Sequence, residues 1–250
     1  MYFNDVHIVY YVVLIIVGIF IGIIIDWANK RLPEYKKVIS LDFFKDFKRT
    51  FKPNYILITL LPIIFVGLLY RFGIQKTLIA NLDLIKYLIL TPMLISVFVI
   101  DYRLKIIPNR LTLTMFEIGL VFTFLYGLSN VAISINMLLG MLAGGGIFLL
   151  ITLLGGLAYG KEAMGLGDVK LMGALGLFFG LSNIIAIALV SFLIGAIISI
   201  ILLATKIKGA TEYIPFGPFI VIAAFISIFV PFDIILNILL TIFTLGLYKR

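Results

Sequence analysis

Leu84-Ile85-Lys86-Tyr87-Leu88-Ile89-Leu90-Thr91-Pro92-Met93-Leu94-Ile95-Ser96-Val97-Phe98-Val99-Ile100-Asp101 is an apolar run closed by a carboxylate. Wound as a helix at about 1.5 Å per residue, the run crosses most of a hydrocarbon layer ~30 Å thick. A carboxylate at that boundary is costly to desolvate and marks a functional position. A second one has the mirror-image setting. Gly165-Leu166-Gly167-Asp168 ends on an aspartate that opens, rather than closes, the next apolar stretch. Two such carboxylates, each beside a short polar stretch or a lysine, suggest one shared site.

The rest of the chain agrees with a membrane setting. Of 250 residues, 63% are hydrophobic and 13% charged, against about 25% charged in soluble domains. The pattern predicts an all-α, polytopic helical membrane protein, read as a single integral membrane domain over residues 1–250. Nine apolar segments fall near 7–26, 55–70, 84–101, 111–128, 132–159, 168–181, 183–204, 214–230 and 233–247. The sixth is short for a full span of about 20 residues, so the expectation is eight to nine transmembrane segments. The first lacks a basic leader and a small-residue cleavage site, and is expected to remain as a helix rather than to be removed as a signal peptide.

Charge orients the segments. Of the 20 Lys and Arg residues, 17 fall in connectors 27–54, 102–110, 160–170 and 205–213 and in the tail Lys249-Arg250. Only Arg71, Lys76 and Lys86 fall on the other side. Basic loops stay cytoplasmic, so the N-terminus is expected outside, the C-terminus cytoplasmic, and Asp101 and Asp168 both at the cytoplasmic edge. The loop 27–54 mixes Phe43, Phe44, Phe47 and Phe51 with Lys45, Lys48, Arg49 and Lys52. It reads as an amphipathic segment on anionic lipid or as a substrate-docking surface. Its charge follows membrane topology, and no nucleic-acid partner is expected.

The available chemistry is narrow. There is no cysteine and one histidine, His7, which removes thiolate metal sites, cysteine nucleophiles and polyhistidine centres. His7 is expected at the interface. No metal is expected. Two carboxylates brought together in a dry cleft share a proton and titrate as a pair. One then deprotonates water while the other hydrogen-bonds a substrate carbonyl. Taken singly, each has a plainer reading: Asp168 as a helix-start residue with Lys170 nearby, Asp101 as an ion-pair partner of Arg103 or Lys105. Pro108 ends the preceding structure and Asn109 can cap the next helix. Glu117 lies inside the fourth segment, with Arg110 seven residues earlier on the same helical face, and reads as a structural pair or a site-lining group. Gly18 and Gly22, Gly140 and Gly144, and Gly176 and Gly180 have the four-residue spacing that lets helices approach closely in lipid.

Ala163-Met164-Gly165-Leu166-Gly167-Asp168-Val169-Lys170-Leu171 resembles the signature of the type IV prepilin peptidases, GxGD intramembrane aspartic proteases. Asp101 with Ile107-Pro108-Asn109 resembles that family's first catalytic aspartate. Ile214-Pro215-Phe216-Gly217-Pro218-Phe219 resembles its late PFGP element, and Gly22 through Arg31-Leu32-Pro33 the bacterial motif after the first helix. The matches run in order from residue 18 to 219.

The resemblance implies Asp101 and Asp168 as the catalytic pair. Gly165, Gly167, Pro108, Asn109, Lys170, Pro215, Phe216, Gly217 and Pro218 would support them. Asn29, Arg31, Lys161, Glu162 and Glu117 are candidate substrate contacts. It implies cleavage of the basic leader of a prepilin or pseudopilin after a glycine, at the cytoplasmic face of the inner membrane, with no cofactor for proteolysis. Many bacterial members also methylate the new N-terminus using S-adenosylmethionine. Loop 27–54 lacks the paired cysteines of many members, which excludes a zinc-held loop and puts methylation in doubt. The rivals are a preflagellin-type peptidase without methylation, a methyltransferase without proteolysis, and a proton-coupled solute transporter. Oligomeric state and the identity of the prepilin are not legible.

Overall fold

The computed structural model describes residues 2–4, 6–33, 54–77, 79–159, 164–205 and 214–244. It divides into two compact units, Met1–Leu111 and Thr112–Arg250. Most of loop 27–54, and with it the expected basic-aromatic surface, lies outside the described residues.

The first unit opens with a minimal hairpin, β1 (Tyr2–Phe3) against β2 (Val6–His7). It is the one departure from an all-helical reading among the described residues. His7 then caps α1 (Ile8–Arg31), its Nδ1 accepting from the Val9 amide at 3.4 Å. Helices α2 (Tyr55–Phe72) and α3 (Leu82–Leu104) complete the unit, with a 3-10 turn at Ile79–Asn81 between them.

Glycine spacing sets the α1–α2 contact. A Cβ on Gly18 would lie 2.8 Å from the Pro62 Cα, and one on Gly22 would lie 2.9 Å from the Leu57 carbonyl oxygen. Ascending α1 therefore meets descending α2, and the helices are antiparallel. The Phe72 and Tyr87 rings, 5.3 Å apart, join the end of α2 to the early part of α3. So α1 and α3 run parallel, and their C-terminal ends share one end of the unit.

The second unit holds α4 (Asn109–Ser129) from Thr112 onward, α5 (Val131–Tyr159), α6 (Leu166–Ala204), α7 (Gly217–Phe229) and α8 (Phe232–Phe243). Nominally α6 is 39 residues long, but Gly180 has φ 72° and ψ 178° inside it. The contacts show a reversal there. A Cβ on Gly144 would touch both the Met172 carbonyl and Ile184, while Gly140 faces Gly176 and Gly180. Past the break, Phe192 stacks on Phe148. Residues 166–179 thus run antiparallel to α5 and 181–204 run parallel to it, as a helical hairpin. Asn136 of α5 holds the break, its Oδ1 accepting from the Leu181 amide at 3.2 Å.

Among the described residues, six helices are long and apolar enough to cross a membrane, and α7 and α8 are shorter. The turn at Gly180 separates the expected short segment 168–181 from its neighbour. Helical pieces then fall on all nine apolar segments read from the sequence. This is a multi-pass helical membrane protein. Its exposed apolar residues, among them Phe20, Ile63, Phe124 and Leu154, belong to surfaces that lipid would cover.

Candidate active site

Asp101 lies in the last turn of α3, three residues before its end at Leu104, and is buried. Apolar periodicity carries α3 to this point. The chain then leaves the helix through Lys105, which adopts the left-handed conformation (φ 57°, ψ 34°) and donates its amide to the Asp101 carbonyl at 2.8 Å. A non-glycine residue in that region is uncommon. Pro108 follows, buried, and accepts from the Leu111 amide at 3.0 Å, while Asn109 opens α4 and is exposed. Asp101 therefore sits where one apolar helix must stop and the next must start.

Asp168 lies in the first turn of α6. Gly165 is the N-cap, with extended backbone (φ −70°, ψ 141°), and accepts from the Asp168 amide at 3.0 Å. A carboxylate in this turn faces the positive end of the helix dipole. Asp168 is nevertheless buried, whereas Gly167 is half-buried and Lys170 exposed. Gly165 needs no positive φ, so its backbone conformation is open to other residues.

The PFGP element has a packing role. Pro215, Gly217 and Pro218 are buried at the start of α7. The Phe216 ring lies 5.9 Å from Phe148, 5.1 Å from Phe192 and 5.8 Å from Phe219. It ties α5, the second half of α6 and α7 into one cluster.

The weaker sequence candidates divide. Lys161 and Glu162 lie outside the described residues. Glu117 is exposed on a face of α4 that also carries Leu113, Leu120, Val121 and Phe124. Arg110, two turns and about 10 Å along the helix, is too far for direct pairing. Arg31 stacks its guanidinium over Trp27 at 4.6 Å. Asn29 is buried, and neither its Oδ1 nor its Nδ2 has a hydrogen-bond partner among the described residues.

The sequence reading missed Asp26. It is buried in α1 and pairs with Lys30 at 3.0 Å. The signal was present, because Asp26 also closes an apolar run. Its i,i+4 lysine made it an ordinary helix pair.

One cavity among the described residues is too small for S-adenosylmethionine. It measures about 230 Å³ and is lined by Asn4, Val6 and residues 70–75. It is below the ~300 Å³ at which ligand pockets begin, and its lining offers no carboxylate. It also lies at the end of the first unit opposite Asp101, beside the C-terminus of α2.

Residues 88–200 match the type IV leader peptidase family. This segment includes both Asp101 and Asp168. A prepilin leader peptidase/N-methyltransferase of Xanthomonas campestris pv. campestris is 37% identical over 144 residues, covering 57% of this chain and 48% of the relative. One of Aeromonas hydrophila is 31% identical over 160 residues, covering 64% and 54%. One of Legionella pneumophila is 36% identical over 139 residues, covering 54% and 46%. The chain thus spans about half the length of the curated relatives it matches. No solved structure matches it.

Proposed function

We propose that this chain, whose residues 88–200 belong to the type IV leader peptidase family, is a multi-pass aspartic endopeptidase. It removes the basic leader of a prepilin or pseudopilin at the cytoplasmic face of the inner membrane. The observation that carries the reading is the pair of buried carboxylates at helix ends, Asp101 closing α3 and Asp168 opening α6, inside the matched segment. Carboxylates are seldom buried without a task. Apolar helices that bring two of them to their ends supply what peptide hydrolysis needs.

One aspartate is ionised and takes a proton from a water molecule. The water oxygen attacks the scissile carbonyl carbon, while the other aspartate donates its proton to the carbonyl oxygen. Collapse of the tetrahedral intermediate breaks the C–N bond. The first aspartate's acquired proton passes to the leaving nitrogen, and the hydroxyl proton returns to the second aspartate. The products are a leader ending in a carboxyl group and a mature chain beginning with an amine. The pair regains its starting protonation, with no covalent enzyme intermediate.

The relatives' names join N-methyltransferase to leader peptidase. The cavity beside the C-terminus of α2 does not fit S-adenosylmethionine. The test is to incubate the purified protein with a prepilin peptide that carries a basic leader, a glycine and an apolar segment. Mass spectrometry should find two fragments divided after the glycine. An intact peptide would overturn the reading and favour a carrier.

A further inference from the structure

Among the described residues, the Asn29 carboxamide is a buried donor and acceptor with no partner for either. Leaving a buried polar group unpaired is costly, and Asn29 has two such atoms. Its neighbours on α1 are already engaged: Asp26 with Lys30, Arg31 with Trp27.

Its position explains why α2 leaves it unpaired. Asn29 is seven residues past Gly22, two turns on and on the same face. Gly22 stands level with Leu57, and α2 begins only two residues before that, at Tyr55. Asn29 therefore lies about 10 Å beyond Gly22 and past the end of α2. That is the end of the first unit at which α3 finishes with Asp101.

We propose that Asn29 is a substrate-positioning residue that binds one peptide group of the extended leader–pilin junction. Its Nδ2 donates to a substrate carbonyl, and its Oδ1 accepts from a substrate amide. A primary carboxamide offers one donor edge and one acceptor edge in a plane, the complement of an extended peptide's own edge. Such a contact reads backbone rather than side chain, as suits an enzyme that must hold a strand against a water-activating pair. The inference rests on the proposed peptidase reading.

The test uses the full chain in detergent and a set of depsipeptide substrates. In each, one amide near the scissile bond is replaced by an ester, removing a single N–H donor. Wild-type protein is expected to lose about tenfold in kcat/KM at one ester position. In Asn29→Leu the all-amide peptide should lose a similar factor, mainly in KM, and the penalty for that ester should vanish. A purely structural role would lower activity without erasing a position-specific penalty. Asn29→Ala, which adds no bulk, repeats the measurement if the leucine variant melts early. If wild-type protein cleaves the amide peptide yet the ester penalties are the same in the Asn29 variants, the assignment is overturned while the peptidase reading stands. If wild-type protein cleaves nothing, both fall.

Discussion

Asp168 and Asp101 are both buried at helix ends, one in a first turn and one in a last turn. The tetrad delivers Asp168 into a first turn, where unpaired amides and the dipole favour a carboxylate. Asp101 ends a mainly apolar stretch of seventeen residues, 84–100, and the helix is released by a left-handed Lys105. Both positions were legible in the sequence because a carboxylate is conspicuous against an apolar run. Asn29 was named only as a candidate contact, since its orphaned amide depends on where α2 ends. Asp26 was hidden by its lysine partner. At this scale, chelation is expected to change nothing. The sequence has no cysteine and a single histidine, and the proposed reaction draws its proton transfers from carboxylates. Cleavage rates in EDTA should equal those without it, and loss of activity restored by zinc would count against the carboxylate mechanism.

At the scale of elements, glycine spacing foretold where helices meet. It did not foretell what Gly180 does. Four-residue spacing reads as close packing, and Gly140, Gly144 and Gly176 do pack backbone to backbone. Gly180 also turns the chain back on itself, and positive φ cannot be read from a spacing. An alanine there would be held in a backbone region that only glycine adopts readily (φ 72°, ψ 178°), at a cost of roughly 1–3 kcal/mol, and its Cβ would be 2.5 Å from Asn136 Nδ2. Gly180→Ala should lower the melting temperature in detergent. Gly176→Leu should do worse, because even a Cβ falls onto the Gly140 backbone and overpacking of this kind typically costs 1–3 kcal/mol or more. A Gly176→Leu protein that melts like wild type would refute the α5–α6 contact. Phe216 is half-buried, so Phe216→Ala is expected to destabilise by less than the roughly 3–5 kcal/mol of a core phenylalanine, a loss the same melt would detect. It tests whether the PFGP element acts through packing.

At the scale of the whole molecule, apolar segments predicted where the helices lie. Hydropathy measures how long a chain stays apolar, which is the property a membrane selects. It carries little about tertiary contacts, so the aromatic cluster around Phe216 and the α6 hairpin came only from the structure. By the charge count both aspartates are expected on one side of the membrane, and the proposed mechanism makes them one site. The chain's lack of cysteine allows a clean check. Cysteines placed at 101 and 168 are expected to be bridged by a short bifunctional thiol reagent in membranes, reading as a closed loop on a gel after proteolysis between them. Absence of bridging with reagents spanning up to about 10 Å, where each single cysteine is labelled, would separate the two positions.

The central claim is that Asp101 and Asp168 act as a unit on one peptide bond. Its most direct test is the rate of prepilin cleavage by Asp101→Asn, Asp168→Asn and the double variant, each inserted in membranes at wild-type level. The two single variants should each lose at least about 10⁴-fold, and the double variant should be no worse, because members of one catalytic unit are not additive. Cleavage near the wild-type rate by either single variant would contradict the pair.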